Sequence, residues 1–147
     1  MVRVLLVEHL KTDRYIISEE LSSRYCVTAL ASAAEAIDFS RTHPFDVALI
    51  DVMLRNDMDS IPLLLELQRV RKQSFLPLAM TSYVDDGRRS RLFQAGFAAV
   101  FDKPVDIDRF EKVIGIHRGA GLSGHDHSRV PVLKEFGQFA PEFRIFQ

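Results

Sequence analysis

The residues in this chain best suited to act together are Glu8 with His9, Asp51, Thr81 with Ser82, and Lys103 with Pro104. Each group stands at the end of a short apolar run. A carboxylate from each of two neighbouring strand ends can hold a hard divalent cation such as Mg²⁺. An aspartate can also act as nucleophile toward a phosphoryl group, while a hydroxyl and an ammonium neutralise the equatorial oxygens. In an open α/β sheet, ligands bind at the carboxyl ends of the strands, where these residues would lie.

The elements that must carry them are legible in the apolar pattern. Runs of strand length occur at Val2–Val7, Tyr25–Leu30, Asp46–Ile50, Phe75–Met80 and Phe97–Phe101. They are continuous rather than alternating, which predicts strands covered on both faces, as in a parallel sheet. Between them the spacing becomes helical: Ile17 and Leu21; Ala33, Ala36, Ile37 and Ser40; Leu63–Leu65 and Leu67; Val84, Arg88 and Leu92 in part; and Ile107, Phe110, Val113 and Ile114. Ser32 with Glu35 reads as a capping box, and Asp106 is placed to cap the last helix. Ser60 could cap the third helix, with Pro62 in its first turn, where the missing N–H matters little. That helix is apolar nearly all round and should be the most deeply covered. Five β-then-α units predict a doubly wound α/β domain over residues 1–115.

Composition bounds the rest. The 147 residues are 47% hydrophobic and 27% charged, enough for one ordinary domain with its own core and not a disordered chain. Nineteen basic against twenty acidic residues give a net charge of −1, which argues against a general nucleic-acid binder. Cys26 is the single cysteine, so no internal disulfide forms; a reducing, cytoplasmic setting is expected. No apolar run reaches the ~20 residues of a membrane span, and no membrane association is expected. After residue 115 the composition changes. Gly115, Gly119, Gly121 and Gly124 suggest a flexible linker. Residues 136–147 then hold four of the eleven phenylalanines, Phe136, Phe139, Phe143 and Phe146. Residues 116–147 are thus read as a Gly-rich linker and a Phe-rich arm, and the arm as a homodimerisation element.

At these positions the chain resembles the receiver domain of bacterial two-component response regulators. The resemblance covers residues 2 to about 115 and rests on Leu5-Leu6-Val7-Glu8, Asp51-Val52-Met53-Leu54, Thr81, Gly96 and Lys103-Pro104, in order and each at the right strand end. It implies a flavodoxin-like α/β fold, a five-stranded parallel sheet of strand order 2-1-3-4-5, here with a C-terminal extension. It also implies that Asp51 accepts a phosphoryl group from a phosphohistidine. Thr81 then hydrogen-bonds the phosphoryl oxygens, Lys103 pairs with them, and the Met53 backbone carbonyl joins Glu8 and Asp51 as a metal ligand. The Lys103–Pro104 peptide is expected to be cis. The partner implied is a sensor histidine kinase or a phosphotransfer protein. The output is a protein–protein contact, without nucleic acid and without enzymatic activity of the chain's own.

The departures from the pattern matter as much. The family carries two acids after the first strand, and the second contacts the metal; here that place holds His9. Mg²⁺ prefers oxygen and rarely takes imidazole, so Mg²⁺ binding should be weak or dispensable, with His9 standing beside Asp51 as a charge partner. The loop after Asp51 has Arg55 and Ser60 in place of a Pro and a Gly, with one residue inserted around Asn56–Asp57. Val100 occupies the place of an aromatic switch on the fifth strand, and Phe101 points to the other face by strand alternation. A degenerate pseudo-receiver, serving as a docking or dimerisation module without phosphorylation, is therefore the alternative. An Asp-nucleophile phosphohydrolase is disfavoured because it needs an acid where Met53 stands. A dinucleotide binder is disfavoured because Glu8-His9-Leu10-Lys11 replaces a Gly-rich turn. His125-Asp126-His127 lacks a fourth ligand and reads as solvated. Arg88, Arg89 and Arg91 read as an exposed helix face, and Cys26 as a small core residue.

Overall fold

The computed structural model describes residues 1–54, 59–71, 74–83 and 85–123, with side chains through residue 119. The chain alternates strictly: β1 (Arg3–Val7), α1 (Lys11–Ser22), β2 (Cys26–Leu30), α2 (Ala33–Thr42), β3 (Val47–Asp51), α3 (Ser60–Val70), β4 (Leu76–Thr81), α4 (Asp86–Ala95), β5 (Ala99–Asp102) and α5 (Ile107–Ser123). The strands form one parallel sheet in the order β2-β1-β3-β4-β5. The continuous apolar runs are explained by two separate cores. On one face Ile17 and Leu21 of α1 and Phe110, Val113 and Ile114 of α5 pack on Leu6, Leu49, Met80 and Phe101. On the other, Ala36 of α2, Leu63, Leu64 and Leu67 of α3, and Leu92 of α4 pack on Leu5, Ile50, Ala79 and Val100. Val100 and Phe101 thus face opposite layers, as strand alternation requires.

Local signals hold at most helix starts. The Ser32 Oγ accepts from the Glu35 N–H at 3.2 Å, while the Glu35 carboxylate accepts from Ala31 N–H and Ser32 Oγ. Asp106 Oδ1 accepts from Arg109 N–H. At α3 the cap is Asp59 rather than Ser60; its carboxylate accepts from the Ser60 N–H at 2.6 Å. Leu65 of that helix is 55% exposed, so α3 is buried on one face, not all round.

Two further expectations are corrected. Cys26 is exposed, because β2 is an edge strand and covered less completely than the central strands. Residues 116–123 are not a loose linker: α5 runs through Gly115, Gly119 and Gly121 to Ser123. Glycine disfavours a helix by about 1 kcal/mol each, but the apolar stripe continues past Gly115 to Ile116, which packs against the same core. The Phe-rich arm, His125-Asp126-His127 and Arg55, Asn56 and Asp57 lie outside the described residues.

Candidate functional site

The sheet itself brings the chemistry together. β1 and β3 are neighbours with Val7 opposite Ile50, so Glu8 and Asp51 leave adjacent strand ends side by side. Thr81 ends β4 opposite Asp102 of β5, and the Lys103 N–H donates to the Thr81 carbonyl at 2.8 Å. Glu8 is fully buried, and Asp51 and Thr81 nearly so. Such burial of two carboxylates demands compensation.

Lys103 supplies much of it. Its Nζ lies 2.6 Å from Glu8 Oε2, 3.4 Å from Asp51 Oδ2 and 3.3 Å from Asp13 Oδ2. Burial pushes the Glu8 carboxyl above the ordinary glutamate range, against the opposing pull of Lys103 and of the Leu10 N–H, which donates to Oε1 at 3.0 Å. Burial alone would push the Lys103 ammonium down, but its bond to Glu8 and the charge of Asp51 outweigh this and hold it above the usual lysine value. The peptide Lys103–Pro104 is cis, as expected.

His9 stands where it was expected, with Nδ1 3.3 Å from Asp51 Oδ2 and 3.8 Å from Glu8 Oε1. Met53 reaches the pocket through its backbone: its N–H donates to Asp51 Oδ1 at 3.2 Å, while the side chain is exposed. The Thr81 hydroxyl donates to the Tyr83 carbonyl at 2.8 Å and accepts from the Tyr83 N–H, so it is engaged with its own loop. Asp13 and Arg14 had no place in the sequence reading. Asp13 is a further carboxylate for Lys103. Arg14 donates to the backbone carbonyls of Glu8 and His9 at 2.9 and 3.3 Å and so holds the turn that presents both. Their position in the first turn of the helix after Glu8 and His9 was the available signal. Arg88 and Arg89 are less free than an open helix face would make them. Arg88 Nη1 lies 3.6 Å from the Met53 sulfur, and Arg89 Nη2 lies 3.9 Å from Asp102.

The five-stranded sheet of order 2-1-3-4-5 is the flavodoxin-like receiver fold, which solved receiver-domain structures share. The family model described as the response regulator receiver domain matches residues 4–115. The chain belongs to that family. DivK of Brucella ovis, a polar-differentiation response regulator, is 27% identical over 99 residues, covering 67% of this chain and 80% of that protein. The receiver domain of the Francisella response regulator 1452 superposes with a TM-score of 0.68 at 20% identity, over 79% of this chain and 95% of that one. The receiver domain of Saccharomyces cerevisiae Ssk1, solved bound to the histidine phosphotransfer protein Ypd1, gives a TM-score of 0.66 at 17% identity, over 78% and 87%.

Receiver domains typically bind Mg²⁺ at this acidic pocket, and the donor set here can be tested against that ion. Among the described residues, Glu8, His9 and Asp51 are the group able to hold a metal, with ligand atoms within 4.8 Å of one another. One of the three donors is an imidazole nitrogen. Mg²⁺ demands near-octahedral oxygen ligation. This pocket fits it poorly.

Proposed function

We propose that this receiver is a phosphoryl-accepting switch in a two-component phosphorelay, with Asp51 the acceptor. The observation that carries the reading is the placement of Asp51: nearly buried at the end of a central strand, with Lys103 and His9 both against Oδ2. In transfer, an Asp51 oxygen attacks the phosphorus of a donor phosphohistidine. The N–P bond breaks and its electron pair stays on the donor imidazole. The phosphoryl oxygens then take over the Lys103 ammonium that Asp51 holds beforehand, and Lys103 stabilises the charge as it moves outward. Thr81 joins them when its hydroxyl leaves Tyr83.

The donor is a histidine kinase or a phosphotransfer protein, the partner class with which receiver domains interact. It must bring a phosphohistidine to the pocket mouth, and exposed apolar side chains follow the pocket residues along the chain: Leu10 after His9, Met53 after Asp51 and Tyr83 after Thr81. A cleft of about 290 Å³ between α1 and the β5–α5 turn adds Ile17 and Pro104 beside Lys103. Output is by protein contact. With Val100 fully buried in the α2–α4 layer, it does not follow a threonine-to-aromatic relay. No described helix is long and apolar enough to cross a membrane.

Incubation with a small-molecule phosphodonor followed by intact-mass measurement tests the assignment. The wild-type chain should gain one phosphoryl group and Asp51→Asn none; phosphate retained in the variant places the acceptor elsewhere.

A further inference from the structure

The misfit to Mg²⁺ is specific, and it points to a different ion. His9 Nδ1 is buried and makes no hydrogen bond, although two carboxylates lie within 3.8 Å of it. Glu8 Oε2 is likewise buried without an aligned hydrogen bond, with the Lys103 ammonium 2.6 Å away. A nitrogen lone pair converging with two carboxylate groups is an arrangement that a cation between them satisfies. Imidazole in such a set suits borderline transition ions and not hard ones. We propose that Glu8, His9 and Asp51 form a mixed carboxylate–imidazole site that takes an imidazole-accepting divalent transition ion, of the Co²⁺, Ni²⁺ or Zn²⁺ kind, in preference to Mg²⁺.

The surroundings support an ion entering here. Lys103 must move off Glu8 to admit it, and Asp13 Oδ2, 3.3 Å from Nζ and on the partly exposed rim, offers the ammonium another carboxylate. Arg14 holds the Glu8 and His9 carbonyls, so the turn that presents both ligands is braced before any ion arrives. The proposal rests on the pocket described above but not on phosphoryl transfer, because ion binding is measured without a phosphodonor.

Transition ions outbind Mg²⁺ at almost any nitrogen- or oxygen-donor site, so the change in preference on removing the imidazole is the diagnostic. The full chain is titrated calorimetrically with Co²⁺ and with Mg²⁺, and the visible absorption of bound Co²⁺ is recorded. Every protein carries His125→Ala and His127→Ala, so that the tail histidines take no part. His9→Asp should lower the ratio of Co²⁺ to Mg²⁺ affinity by about tenfold or more, chiefly by raising Mg²⁺ affinity, and should change the Co²⁺ spectrum; even partners outside the ligand sphere are typically worth about 10–100-fold. Asp51→Asn should weaken both ions. A ratio and a Co²⁺ spectrum that survive His9→Asp unchanged would overturn the proposal, leaving His9 a polar neighbour of Asp51 only. His9→Gln, which keeps a polar side chain but removes the imidazole, repeats the test should His9→Asp not fold; it should lose the Co²⁺ band, and retention of the band would count equally against the site. A failure here with Asp51 still phosphorylated leaves the acceptor reading standing. The reverse result leaves the ion site standing.

Discussion

At the residue scale the pocket is governed by one buried cation among acids. Glu8 is fully buried, and its stability as a carboxylate depends on Lys103 at 2.6 Å. Lys103→Met keeps length and apolar bulk but removes the charge, and breaking a buried pair from one side typically costs about 3–5 kcal/mol. The loss should depend on pH in a definite sense. Burial already raises the Glu8 carboxyl, and without Lys103 it rises further, so the folded variant binds a proton that the unfolded chain gives up. A carboxyl raised by folding contributes stability below its ordinary range, and that contribution is lost as pH climbs through the folded value. Urea denaturation across a pH series should therefore show the gap between Lys103→Met and wild type widening from about pH 5 upward, and Glu8→Gln in the same chain should close most of it. A gap that stays constant with pH would show that Glu8 does not depend on Lys103. Much of this pocket was visible in the sequence, because each member directly ends or follows a strand and the topology of parallel sheets makes strand ends converge. Asp13 and Arg14 were not, because their roles depend on how α1 docks over the β1 end, which no local pattern records.

Among the elements, the central strands and their covering helices follow from apolar spacing, and the edges and ends do not. Cys26 shows why: a strand's apolar run looks the same in the middle of a sheet and at its margin, and only the strand order makes β2 an edge. The end of α5 shows the converse: the helix runs past glycines that local propensity would have made a linker, and Ile116, beyond the first of them, packs on the core. At Gly96 the backbone conformation itself calls for glycine. This residue closes α4 with φ at +120°, its N–H donating to the Phe93 carbonyl, before β5 begins. A Cβ there would meet Leu64 and Gln68 only at ordinary contact distance. The obstacle to a side chain is therefore the backbone conformation, for which L-residues incur about 1–3 kcal/mol. Gly96→Ala should lose about that much in chemical denaturation while Gly115→Ala, in helix and facing open space, should gain up to about 1 kcal/mol. Equal effects at both sites would contradict the conformational argument.

The whole molecule has two ends with different duties. The carboxyl ends of the strands hold Asp51; the amino ends face the other way. Ile114, His117 and Arg118 of α5 line a cleft there with Val2, Arg3 and Phe75, so the chain leaves the domain at the end opposite the pocket. Beyond Ser123 it carries Phe136, Phe139, Phe143 and Phe146, and each phenylalanine buried is worth about 1.5–3 kcal/mol. The spacing of three, four and three is a helical stripe, although Gly137 and Pro141 oppose one continuous helix. Leaving four such side chains in water would favour self-association without return, and an arm tethered this way can exchange into a neighbouring copy. We propose a homodimer by reciprocal arm exchange, and it should be independent of phosphorylation chemistry because α5 lines a cleft at the end of the sheet opposite Asp51. Light scattering should give twice the 16.8 kDa chain mass for the full chain at micromolar concentration and for Asp51→Asn alike. A chain ending at Ser123, which preserves all of α5, should run as a monomer. A full-length monomer would remove the arm-exchanged dimer, and a dimer that survives truncation at Ser123 would move the interface onto the receiver itself.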